Sequence, residues 1–174
     1  MTRFNDARGL ERINFEEYSP RQLLAEATIA VYGTVESVRD GRTYNPGGLG
    51  MRNVVVGVKA TEVLKDDSTR QGDLVYFEMS RRDDSTIDAI ENALPEGTHV
   101  ALFAYPASDP GFQVDGDPDA GREPGSSVYF PLVQGLWIQT PDGLDCVLDP
   151  DITDQDGWTG INAWPELATA TQAS

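Results

Sequence analysis

With 174 residues, 29 acidic against 13 basic side chains and a formal net charge of −16, the chain is sized for one domain that buries its core without cross-links. A field of that sign repels phosphate backbones and anionic membrane surfaces, so nucleic acid is excluded as a partner. A lone cysteine, Cys146, excludes an internal disulfide framework, and no window approaches the roughly 18–20 apolar residues of a membrane span.

The first nine residues carry two arginines but no apolar run behind them, so no signal peptide is visible. The compartment reads as extracellular or cell-envelope if a leader was removed, and otherwise as cytoplasmic. Residues 1–18, with Phe4, Leu10, Ile13, Phe15 and Tyr18 scattered among charges, read as an extended arm over a single domain. Ser19-Pro20-Arg21-Gln22 then opens a helix. Serine is placed as N-cap, proline at the first helical position, and Gln22 completes a capping box. The helix is expected to reach about Ala27 and to plug one end of a β structure with Leu23, Leu24 and Ala27.

Period-two alternation follows. Ile29, Val31, Gly33 and Val35 alternate with Ala30, Tyr32, Thr34 and Glu36; Val54, Val56, Val58 and Ala60 alternate with Asn53, Val55, Gly57 and Lys59. The first strand is expected to end near Val38. Arg39–Arg52, with Gly47, Gly48 and Gly50, reads as a long connection, either a binding loop or an unstructured tip. A third strand over Leu74–Met79 sets Val75, Phe77 and Met79 on one face and Leu74, Tyr76 and Glu78 on the other. Asp83, Asp84 or Ser85 then caps a short helix through Ile87, Ile90 and Leu94. The fourth strand, Thr98–Tyr105, turns Val100, Leu102 and Ala104 inward.

The loop from Pro106 to Ser127 holds Asp115, Asp117 and Asp119 at alternate positions, the spacing with which a loop wraps calcium. The match lapses at Ala120 and Ser126, where that loop has glycine and glutamate; the other reading is a solvated acidic loop. Val128–Val133, Leu136–Thr140 and Leu144–Leu148 read as a meander, with Gln134-Gly135 as one hairpin turn and Pro141-Asp142-Gly143 as the next. An acidic tail over residues 149–174, in which Asp149, Asp151 and Asp154 form a second candidate calcium set, ends in a helix from Pro165 to about Thr171.

Three segments carry a family resemblance: Glu26-Ala27-Thr28-Ile29-Ala30-Val31-Tyr32-Gly33-Thr34-Val35-Glu36-Ser37-Val38, then Val58-Lys59-Ala60-Thr61-Glu62-Val63-Leu64-Lys65, then Leu94-Pro95-Glu96-Gly97 with the strand ending in Phe103. Together they resemble a set of uncharacterised bacterial domains, common in actinobacteria and often exported. Their strands are similar to those of the netrin-like and tissue-inhibitor-of-metalloproteinase barrel. The resemblance implies a mainly β, OB-like antiparallel barrel with an N-terminal helix, a short helix between strands three and four, and a C-terminal helix. Protease inhibition in that family uses an N-terminal cysteine and disulfides, which this chain lacks, so no functional residue transfers.

Catalysis is not expected. One histidine, His99, and one cysteine supply neither a metal cluster nor a nucleophile–base set, and no Gly-x-Ser-x-Gly elbow is present. The reading is a non-catalytic binding or protein-interaction module for a protein or a small polar ligand, without a cofactor. Its contact face would be Tyr32, Tyr76, Phe103 and Tyr105, rimmed by Arg81 and Arg82, unless those aromatics are covered and form a second core. The alternative is a calcium-dependent binding domain using Asp115, Asp117 and Asp119.

Overall fold

The strand pattern closes into a ring in the computed structural model, which describes residues 18–45, 50–68, 70, 72–107, 114–147 and 152–173. The N-terminal arm over residues 1–17, the connection's tip at 46–49, and Asp149 and Asp151 lie outside the described residues. Helix α1 spans Pro20–Glu26, with Ser19 and Gln22 making the reciprocal cap. β1 (Ile29–Tyr44), β2 (Met51–Asp66) and β3 (Leu74–Arg81) follow as an antiparallel meander. Next come α2 (Ile87–Ala93), β4 (His99–Pro106), the two-residue β5 (Val114–Asp115), β6 (Val128–Thr140) and β7 (Gly143–Cys146). A 3₁₀ turn at Ile152–Asp154 and α3 (Trp164–Gln172) complete the fold, which is mainly β with three α-helices among the described residues.

Five strands form the ring in the order β1-β2-β3-β6-β4, with β1 returning to β4. Every pairing is antiparallel except β3 with β6, where a parallel contact of two residue pairs, Tyr76 with Val128 and Phe77 with Tyr129, closes the circle. Inside lie the inward rows of all five strands, among them Val31, Val56, Phe77, Leu102 and Leu136.

Four expectations are corrected. β1 does not stop near Val38. Arg39, Asp40, Thr43 and Tyr44 pair with the start of β2, where Asp40 meets Val54 and Tyr44 meets Met51 across a register irregularity at residues 41–42, so both ends of the supposed connection belong to the ladder. Gln134-Gly135 is not a hairpin turn either, because β6 runs unbroken through it. Opposite the single residue Phe103, β6 carries the four residues from Leu132 to Gly135 as a bulge between the Leu136 and Pro131 pairings. Glycine is needed there, since a methyl group would overlap the Phe103 carbonyl oxygen. Thr86, rather than Asp83, Asp84 or Ser85, caps α2 by accepting from the Ala89 amide at 3.2 Å. Asp84 is instead engaged by Arg82.

Finally, α1 does not enter the ring. Ile90 and Leu94 from the α2 segment join the interior cluster, whereas Leu23 and Ala27 of α1 pack outside with Phe103, Trp137, Trp158 and Leu167. That outer layer is a second core, roofed by α1, α3 and the 3₁₀ turn. A smaller third cluster joins Val55, Tyr76, Ala107 and Val128 on another part of the outer surface.

Candidate functional site

The six side chains expected to share one contact face are divided among three places. Phe103 is fully buried in the second core. Tyr32 lies at that core's edge, stacked between His99 at 5.5 Å and Trp164 at 4.9 Å. The Trp164 indole donates to Glu62 Oε2 at 2.7 Å, which fixes the start of α3 against β2. Burial, and after it the Glu62 carboxylate, push the Tyr32 phenol above its ordinary pKa.

Tyr76 and Tyr105 lie at the β3–β6–β4 seam. Tyr76 is buried in the third cluster. Tyr105 is 44 % exposed and pairs across the ladder with Phe130, the rings 5.9 Å apart and tilted by 53°. Leu74 and Phe130 also pack against the third cluster, so the Tyr105–Phe130 pair is the visible margin of a mostly covered patch.

Arg81 and Arg82 stand elsewhere. Arg81 is five residues beyond Tyr76 on β3, roughly 17 Å at about 3.3 Å per residue. It donates to Asp40 Oδ1 at 2.6 Å and to the Ser85 carbonyl at 2.7 Å. Arg82 is exposed and forks onto Asp84.

On the outer face of β1–β3 the fold assembles a polar cluster that alternation did not reveal. Glu78 is fully buried, and Arg42 reaches it with two hydrogen bonds, Nε to Oε2 at 3.0 Å and Nη2 to Oε1 at 2.5 Å. The Tyr44 hydroxyl donates to the same Oε1 at 2.7 Å, and the Arg42 guanidinium carbon stands 5.1 Å from the Tyr44 ring centre. Asn53 Nδ2 completes the surround by donating to the Arg42 carbonyl at 3.1 Å. A buried carboxylate needs such a fork to offset lost hydration. Glu78 stands on the outward row of β3 with Leu74 and Tyr76, but period two does not reach its partners: Val38 faces the interior, and the register shift between Asp40 and Thr43 turns Arg42 and Tyr44 to the outer face.

The acidic loop is tied up internally. Asp117 Oδ1 accepts from the Asp119 amide at 2.9 Å and Asp119 Oδ1 from Arg122 Nη2 at 2.8 Å, while Asp115 belongs to β5. No group of three or more His, Cys, Asp or Glu side chains placed to hold a metal ion occurs among the described residues. Cys146 is buried in the second core, and His99 is stacked on Tyr32. No helix among the described residues is long and apolar enough to cross a membrane.

Neither a protein-family model, nor a curated protein, nor a solved structure matches this chain.

Proposed function

We propose that the chain is an OB-like binding or protein-interaction module without catalytic chemistry, and that its contact surface centres on Tyr105 and Phe130. The connectivity supports the OB-like reading: a three-strand meander, a helix after β3, a β4 that returns beside β1, and a last ring strand parallel to β3. The netrin-like resemblance implies the same fold. The enclosure of Glu78 by Arg42 and Tyr44 and of Cys146 inside a core, which keeps both from meeting a substrate, supports a non-catalytic role.

The observation that carries the reading is the Tyr105–Phe130 pair. An aromatic side chain left 44 % exposed, beside a second aromatic and next to a packed apolar cluster, offers a rigid platform for a sugar ring or an apolar peptide side chain. The test is a glycan array and a peptide array probed with the natural protein and with Tyr105→Ala. Ligands lost on substitution, with the thermal midpoint shifted by no more than a few degrees, support the platform. Identical profiles for the two proteins contradict it.

A further inference from the structure

The outer face of β1–β3 is buried although it points away from the ring's interior. Val55, Tyr76 and Glu78 alternate with the inward Val54, Val56, Val75, Phe77 and Met79, yet each is at most 4 % exposed. Residues 114–127 contribute the cover. β5 pairs with Thr43 and Tyr44, and Gly121 is seated so closely that a methyl group on it would lie 2.7 Å from the Asp40 carbonyl oxygen and 2.8 Å from Val55 Cβ. Ala107 and Val128, at either side of this stretch, pack on Val55 and Tyr76.

We propose that residues 114–127 are an intramolecular cover that opens as a unit while the five-stranded ring stays intact. Three features make opening cheap relative to unfolding. The cover's hydrogen bonds are largely its own: Arg122 donates from Nε to the Ser126 carbonyl and from Nη2 to Asp119, and the Ala120, Arg122 and Ser126 amides bond to carbonyls three residues back. Those bonds survive when the segment lifts. Its attachment to the ring by backbone pairing is two residue pairs long. Val114 and Ala120 are its only aliphatic residues apart from two prolines, and neither is fully buried, so the segment itself adds little to the apolar area exposed on opening, which comes from Val55 and Tyr76 beneath it.

The floor beneath adds to this. Beside Val55 and Tyr44, on which the cover rests, lies the buried Arg42–Glu78 ion pair, whose charges are held out of water in the closed state at a cost that a wholly apolar floor would not carry. The uncovered face, with Tyr44, Tyr76 and Val55 around that pair, adjoins Tyr105 and Phe130. If the binding reading holds, the cover is autoinhibitory, and apparent affinity scales with the open fraction. Opening itself does not depend on that reading.

Native-state thiol labelling tests the opening. Val55→Cys places a probe under the cover, and Val56→Cys places one inside the ring; both sites are fully buried. Peptide mass spectrometry separates either site from Cys146. The proposal predicts that Cys at 55 is labelled at least about tenfold faster than Cys at 56 and that its rate is flat in low urea, as for local opening. Equal rates that rise together with urea overturn it. Should a cysteine variant not fold, trypsin on the natural protein reads the same event, since Arg122 in the cover and Arg42 and Arg81 in the ring all have side chains no more than 8 % exposed. Cleavage after Arg122 well ahead of Arg42 and Arg81 supports the cover, and cleavage at one common rate overturns it. Neither outcome depends on the Tyr105 arrays, so failure of the cover and failure of the contact platform are distinguishable.

Discussion

Glu78 shows how one side chain dictates its surroundings. Removing its charge while leaving the Arg42 guanidinium, 7 % exposed, leaves a cation without its fork. Glu78→Gln is therefore expected to cost about 3–5 kcal/mol in urea unfolding, whereas the paired Arg42→Met, Glu78→Leu protein should be near neutral or more stable. Tyr32 governs a different condition. Its folded pKa lies above the unfolded one, so the stability linked to its protonated form is fully present below about pH 10 and is lost as pH rises through the folded value. Comparison of the natural protein with Tyr32→Phe should give a stability difference that is constant below about pH 10 and moves against the natural protein above it. Residues of this kind were only half legible. The alternation placed Tyr32, Tyr76 and Phe103 on outward faces, where they are, but period two reports which way a side chain points and not what lies over it.

Elements were read well where a local rule acted and poorly where a distant one did. The α1 cap follows from Ser19, Pro20 and Gln22, all within one turn, and it stands as expected. The continuity of β6 depends instead on Phe103 and on Gln134, whose Oε1 accepts from the Tyr18 amide and whose carbonyl accepts from the Trp137 indole. Gln-Gly looked like a turn because Phe103 and Tyr18 are remote in sequence. Gly135→Ala should destabilise the fold by roughly 1–3 kcal/mol, measured by urea unfolding, because a methyl group meets backbone rather than a yielding side chain. α3 is likewise held by remote contacts. Trp164→Ala removes both the Tyr32 stack and the bond to Glu62 and should cost about 3–5 kcal/mol.

For the whole molecule, a net charge of −16 acts against the compact state through self-repulsion. Sodium chloride should raise the melting temperature as it screens that repulsion, and calcium chloride at matched ionic strength should add little more. The larger feature is that, among the described residues, the ring carries three packed clusters, one inside and two outside, so most of its described outer aromatic surface is structural. The claim that the expected face is split between core and contact surface is tested most directly by urea unfolding of Tyr76→Ala beside Tyr105→Ala. The account predicts a loss of about 3–5 kcal/mol for Tyr76 and under about 1 kcal/mol for Tyr105. Equal losses, or a larger loss at Tyr105, would contradict it.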